Sequence, residues 1–206
     1  MVMSNKNGIS WFDSILKRSF DIFFSLLGLI LFWWLILVAA LFARIDTGEN
    51  GFFTQSRIGR YGNPFKVIKI RTMRPVENQN TTVTTIHDVR ITPLGRFIRR
   101  AKIDELPQLI NVLLGQMSFV GPRPDVSGFA DRLLDDDQVI LNIRPGITGP
   151  ATLKYRNEEE MLAQVDDPEK YNSEVIFPDK VRMNKKYIEN YTFLIDIKCI
   201  IKTILG

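Results

Sequence analysis

A chain of 206 residues with 45% hydrophobic and 24% charged residues can build a packed core, which argues against wholesale disorder. Its one cysteine, Cys199, excludes an intrachain disulfide, and its one histidine, His87, makes a zinc site of histidines and cysteines improbable. The net charge of +4 is modest, but the cations are concentrated in two stretches of the chain.

An apolar segment at residues 22–43 carries no formally charged side chain. As a helix it is about 33 Å long, which is enough to cross the hydrocarbon core of a bilayer. The segment is apolar on every face, unlike the buried helix of a soluble protein, and it is too long for the core of a cleaved signal peptide. We therefore predict an N-terminal segment with a membrane helix at residues 1–46, followed by a domain at 47–206.

The charges that flank this segment bear on its path. Lys17 and Arg18 precede it and seven cations follow within Arg44–Arg74, and basic flanks tend to stay on the cytoplasmic side. This pattern favours a re-entrant helix that enters and leaves the bilayer on one side. A straight span remains the alternative, because the segment has no proline and only Ser25 and Gly28 mark weak points.

Two short strand-like runs follow the apolar segment. The runs are Phe52–Gln55 and Phe65–Ile70, and the turn between them is Gly59–Pro64. Alternation along the second run places Lys69 and Arg71 on one face. Between Arg57 and Arg74 there are six cations and no acid, which suits either lipid headgroups or an anion-binding wall.

Two adjacent carboxylates, Asp104 and Glu105, lie in the second cationic stretch. Six basic residues and only these two acids occur between Arg90 and Pro124. One interpretation is a capped helix start, which would open the next helix. The other is a reactive negative group in a positive pocket. Neighbouring helical residues point about 100° apart, so the two carboxylates would have different roles.

The elements around this pair can also be predicted. Thr92 and Pro93 mark the start of a basic amphipathic helix of the kind that lies on a membrane surface, and Gly115 ends the helix after the acids. Two rigid turns, Gly121–Pro124 and Arg144–Gly149, each carry an arginine.

Farther along the chain, Glu158–Glu160 is predicted as the exposed first turn of a helix, and residues 179–205 as one long helix whose end lies at the membrane interface. Residues 77–85 read as a polar loop with His87 at its far end.

Several sequence motifs are missing from this chain, and their absence limits the kinds of chemistry it can perform. It contains no P-loop lysine motif, no dinucleotide glycine motif and no Gly-x-Ser-x-Gly. Phosphate recognition would therefore come from arginines and from a metal held by a carboxylate. A carboxylate can also act as a nucleophile and form an acyl phosphate, which divides a difficult transfer into two steps.

The chain resembles the monotopic phosphoglycosyl transferases, bacterial sugar transferases that begin the assembly of membrane glycoconjugates, in their minimal small form. The resemblance covers about residues 14–205. The matching segments are Phe53–Gly59, Phe65–Met73, Arg90–Arg99, Asp104–Pro124 and Arg144–Gly149. The family usually breaks its membrane helix at a Ser-Pro pair, whereas the corresponding region here reads Leu31–Leu35 without either residue.

The resemblance implies a mostly helical α+β fold with a small β-hairpin and interfacial amphipathic helices around a cytosolic catalytic core. It implies a UDP-sugar donor, a polyprenol phosphate acceptor such as undecaprenyl phosphate, and Mg²⁺. Asp104 matches the nucleophile and the Mg²⁺ ligand, and Glu105 its proton-handling partner. The remaining expected sites are phosphate-binding cations: Arg99, Arg123, Lys69, Arg71 and Arg144.

The expected location is the bacterial inner membrane, with the catalytic domain on the cytoplasmic face and the lipid bilayer as a partner. The alternative is an inactive membrane-anchored scaffold that binds anions or lipids. No nucleic-acid partner is expected, because the Arg57–Arg74 stretch does not alternate stacking aromatic platforms with its cations. The sequence leaves open the sugar, the pathway and the oligomeric state, a homodimer included. Residues 150–180 are expected to shape the sugar pocket.

Overall fold

The computed structural model describes residues 9–75, 85 and 88–206. His87 and the predicted loop at 77–85, except Thr85, lie outside the described residues. The described part is mostly helical with two small two-stranded sheets, which confirms the predicted α+β class.

Helix α1 spans Trp11–Thr47 as one continuous helix of 37 residues, longer than the predicted apolar segment. The Ser10 hydroxyl caps its start by accepting a hydrogen bond from the Asp13 N–H, and Gly48, at φ 76°, ends it in the left-handed region. The helix is about 55 Å long and is the one described helix that is long and apolar enough to cross a membrane. A re-entrant path, which needs a bend, stays a prediction.

One face of α1 packs along the rest of the protein. The buried residues on this face are Lys17, Asp21, Ser25, Ile36, Ala39, Ala40, Ala43 and Thr47. Near its start, the Lys17 ammonium donates to the Asp196 carboxylate at 2.5 Å. The other faces of α1 expose large apolar side chains such as Trp11, Phe23 and Trp33. Such a surface suits contact with lipid.

The predicted hairpin is confirmed, with longer strands than expected. Strands β1, Phe52–Ile58, and β2, Pro64–Ile70, are antiparallel, and their register pairs Phe53 with Lys69. The turn contains a short 3₁₀ helix at Arg60–Gly62.

Helix α2, Pro93–Arg100, begins as predicted, with the Thr92 hydroxyl accepting from the Gly95 N–H. Asp104 and Glu105 do not open the next α-helix. They lie in a separate 3₁₀ turn, Ile103–Glu105, that begins after Lys102 adopts a left-handed φ of 58°. Helix α3, Gln108–Leu113, follows, and Gly115 lies just beyond it at φ 81°.

Asn111 joins α3 to β2. Its side-chain oxygen accepts from the Ile68 N–H at 3.1 Å, and its amide donates to the Lys66 carbonyl at 2.8 Å. The side chain is almost fully buried. These bonds fix the turn that carries Asp104 and Glu105 beside the strand that carries Lys69.

A second, parallel pair of strands positions the turn that contains Arg123. Strand β3, Ser118–Val120, pairs with β4, Gly146–Thr148. The strands are so close that a Cβ added to Gly146 would lie 2.1 Å from the Gly121 nitrogen. Only glycine fits there, and the chain leaves β3 directly into the Arg123 turn.

Four short helices and two longer ones complete the chain. They are α4 Pro150–Lys154, α5 Glu158–Leu162, α6 Pro168–Tyr171, a π-helical stretch Asn172–Ile176, α7 Phe177–Glu189 and α8 Phe193–Leu205. The prediction of one helix over 179–205 is wrong, because the chain breaks between α7 and α8. The break lets Asp196 turn inward, where the Tyr187 and Tyr191 hydroxyls donate to it at 2.5 and 3.1 Å.

Candidate active site

Glu105 lies between two cations. Its Oε1 accepts from Arg123 at 2.8 Å and lies 3.5 Å from the Lys69 ammonium. Burial by itself would raise the pKa of Glu105, but the charges of Arg123 and Lys69 outweigh it, and the pKa lies well below its usual range. Glu105 in turn raises the pKa of Arg123. The three groups form an ionised cluster that connects β2, the 3₁₀ turn and the turn after β3.

Asp104 has a different environment from its neighbour. The residue is 7% exposed, and its Oδ1 has no hydrogen-bond partner among the described residues. Burial, followed by the negative charge of Glu105, raises the pKa of Asp104 to about 6, while Lys69 and Arg99 oppose the rise. Asp104 is therefore mostly ionised at neutral pH, and its buried Oδ1 lacks a partner that a bound cation could supply.

The predicted phosphate-binding cations divide into two groups. Lys69 and Arg123 contact Glu105, and Arg99 acts on Asp104 through its charge while its guanidinium pairs with Glu159 on α5. These three cations surround the two carboxylates.

The other two predicted cations contact different groups. Arg71 follows the end of β2, donates to the Asn50 carbonyl at 2.7 Å and stacks over the Phe53 ring. Arg144 donates to the Gly115 carbonyl at 2.8 Å and has Arg18 and Arg60 as its charged neighbours. The described contacts do not bring Arg71 or Arg144 to Asp104.

Comparison with known proteins identifies the family. The family model described as bacterial sugar transferase matches residues 12–206. The chain belongs to the bacterial sugar transferase family.

Several curated relatives cover nearly all of this chain. It is 33% identical over 201 residues to the UDP-glucose:undecaprenyl-phosphate glucose-1-phosphate transferase of Escherichia coli (strain K12), covering 95% of this chain and 41% of that protein. It is 33% identical over 202 residues to the exopolysaccharide production protein PSS of Rhizobium leguminosarum bv. phaseoli, covering 94% and 96%.

A third relative, from Bacillus subtilis (strain 168), is the putative undecaprenyl-phosphate N-acetylgalactosaminyl 1-phosphate transferase. It is 40% identical over 122 residues, which cover 59% of this chain and 68% of that protein. The chain thus spans about two fifths of the length of the E. coli relative and of a similar one from Klebsiella pneumoniae, and nearly all of the Rhizobium one.

The site of this sugar transferase family member also contains charged residues that sequence reasoning did not select. Arg57 donates to the Pro124 carbonyl at 3.2 Å, and burial, followed by the charge of Arg123, lowers its pKa to about 10. Burial raises the pKa of Asp125 to about 6. Arg57 and Asp125 could have been selected from the sequence, since Arg57 begins the cationic stretch and Asp125 follows the rigid arginine turn. Glu158 and Lys180 could not have been selected in this way, because their ion pair joins distant segments.

Asp104 fits a magnesium ion as a single carboxylate ligand. The described residues contain no group of three or more side chains that could hold a metal. Mg²⁺, however, usually binds through one or two carboxylates and takes its other ligands from water and substrate phosphates. The free, buried Oδ1 of Asp104 is suited to be that single protein ligand.

Proposed function

We propose that this protein transfers a sugar 1-phosphate from a UDP-sugar to a polyprenol phosphate, such as undecaprenyl phosphate, and releases UMP. The observation that carries the proposal is the buried Asp104 carboxylate, with an unpartnered oxygen, beside three cations in a chain of this family. The names of the relatives supply the acceptor and the type of group transferred.

The first step is attack by the Asp104 carboxylate on the β-phosphorus of the donor. A bond forms between the carboxylate and phosphorus, and the bond from that phosphorus to the bridging oxygen breaks, so UMP leaves with the oxygen and its electron pair. The product on the protein is an aspartyl phosphosugar. Arg123 and Lys69, which contact Glu105 and act on Asp104 through their charge, can stabilise the negative charge that develops on the phosphoryl oxygens.

The second step regenerates the carboxylate. An oxygen of the acceptor phosphate attacks the same phosphorus, the bond to Asp104 breaks, and polyprenyl diphosphosugar is formed. A phosphate monoester has its second pKa near 6, so the acceptor is largely ionised at neutral pH. Glu105, whose pKa is held well below its usual range by Arg123 and Lys69, is a weak base, and we assign it to holding these cations.

A magnesium ion on Asp104, when bound, would neutralise the charge of the donor phosphates. The cytoplasmic face is the proposed location of the site, because UDP-sugars are made in the cytosol. The exposed apolar faces of α1 and the end of α8, with Ile204 and Leu205 exposed, would contact lipid.

The test of the function is UMP release. Wild-type protein, Mg²⁺ and undecaprenyl phosphate are incubated with a panel of UDP-sugars, and at least one sugar is expected to give UMP and a lipid-linked product. Asp104→Asn should abolish both and should also prevent the covalent adduct that mass spectrometry detects without acceptor. If no UDP-sugar is used by the wild type, the inactive scaffold is the better description.

The path of α1 needs its own test. Single cysteines at positions 5 and 46, in a Cys199→Ala background, should both be protected from an impermeant label in intact cells if both ends of α1 are cytoplasmic. Labelling at position 5 alone would establish a straight span.

A further inference from the structure

Two adjacent glutamates at the start of α5 extend to opposite walls of the candidate site. Glu159 accepts from the Arg99 guanidinium on α2, whereas Glu158 accepts from the Lys180 ammonium on α7 with both oxygens, at 2.8 and 2.7 Å. Helix α5 is therefore connected by ion pairs to α2 on one side of the site and to α7 on the other. Glu158 also lies close enough to Arg123 to act on it through charge.

The two ion pairs differ in how easily another anion can replace the glutamate. The Glu159 and Arg99 side chains are 40% and 25% exposed, and ion pairs with this much solvent contact contribute little. The Glu158 and Lys180 side chains are 26% and 16% exposed and make two hydrogen bonds. A phosphate can form paired, charge-assisted hydrogen bonds with a guanidinium. Glu159 can thus leave Arg99 to a phosphate while Glu158 keeps α5 in position.

We propose that Glu159 is a built-in counter-anion of Arg99, and that a substrate phosphate binds the site by displacing it. This inference rests on the proposed function, because it takes Arg99 as a phosphate ligand of the transferase. It makes Glu159 a residue that sets substrate affinity without touching the reacting atoms. Without the Glu159 carboxylate, Arg99 is free to bind phosphate.

The experiment compares Glu159→Gln with Glu160→Gln in the full-length chain in detergent. Glu160 is exposed on the same helix and has no ion-pair partner in the described part of the chain, so it controls for a general loss of negative charge. Calorimetric titration with inorganic pyrophosphate should give a Kd about two- to fivefold lower for Glu159→Gln, and a Kd within about twofold of the wild type for Glu160→Gln.

The same substitution in an Arg99→Gln background should give no gain, because there is no guanidinium to release. With a UDP-sugar, Glu159→Gln should lower KM and leave kcat unchanged. If Glu159→Gln does not fold, Glu159→Ser removes the same carboxylate and must change affinity in the same direction. Unchanged or weaker pyrophosphate binding by a folded variant, or a gain that persists without Arg99, overturns the proposal.

The two proposals fail in different ways. If the protein is not a transferase, the wild type releases no UMP, yet pyrophosphate binding still reports on the contact between Arg99 and Glu159. If only the counter-anion proposal is wrong, UMP is released and the Glu159→Gln titration matches that of the wild type.

Discussion

Replacing Asp104 with asparagine should make the folded protein more stable while it removes the proposed nucleophile. Burial raises the pKa of Asp104 from 3.8 to about 6, so the folded state binds a proton more tightly than the unfolded state does. Each pKa unit corresponds to about 1.36 kcal/mol, so the ionised carboxylate destabilises the fold by about 3 kcal/mol at neutral pH. The destabilisation grows as pH rises from about 4 to about 6 and is constant above that.

Asparagine has nearly the same shape and carries no charge. At pH 8 the apparent Tm of Asp104→Asn should exceed that of the wild type by about 6 to 12 °C, from about 2 to 4 °C per kcal/mol for a chain of this size. The assay is thermal unfolding in detergent with EDTA, at several pH values between 4 and 8. The difference between the variants should shrink as pH falls, because Asp104 becomes protonated in the wild type.

The control is Asp166→Asn, which removes an exposed aspartate and should change the Tm at pH 8 little. A wild type that is more stable than Asp104→Asn at pH 8 would refute the reasoning, because it would mean that the nearby cations outweigh burial. A difference that does not change with pH would refute it as well, because it could not arise from the ionisation of Asp104.

Three further predictions concern the metal, the α1 contact and the glycine turn. Millimolar Mg²⁺ with UDP should raise the Tm of the wild type more than that of Asp104→Asn, and equal shifts would exclude Asp104 as a ligand. Lys17→Met leaves the buried Asp196 carboxylate without its cation and should destabilise the fold by about 3 to 5 kcal/mol in chemical denaturation, whereas Lys198→Met, outside this pair, should change it little. Gly146→Ala forces a Cβ against the Gly121 backbone and should reduce the yield of folded protein in size-exclusion chromatography, whereas Gly48→Ser, which has open space and pays only for its left-handed φ of 76°, should reduce it less.

Local signals in the sequence predicted much of the fold. Thr92 and Pro93 marked the start of α2, and the glycines and proline between Gly59 and Pro64 marked the hairpin turn, because these residues act through their own backbone preferences. The prediction of one long helix over 179–205 is wrong for the opposite reason, because the break depends on contacts with residues far away in the sequence. Asp196 is buried by its partners Lys17 and Tyr187, and Lys17 is 179 residues away, so the local pattern could not show this contact.

The candidate site shows the same division. The sequence identified Asp104, Glu105, Arg99 and Arg123 as one cationic neighbourhood with two acids, and the structure brings their charges together. The sequence could not show that Glu159 forms an ion pair with Arg99. An acidic first turn is common on exposed helices, and the two residues are 60 positions apart.

The contact between Lys17 and Asp196 also constrains how the chain is made. At about 5 to 20 residues per second, a ribosome needs about 10 to 35 s to synthesise the 179 residues between them. For most of that interval α1 has been synthesised with an ammonium group on the face that is later buried, and without the Asp196 carboxylate that receives it. Helix α1 is thus made well before the contact that completes its buried face, so a nascent chain that stops before Asp196 has the exposed apolar faces of α1 but leaves Lys17 without this partner.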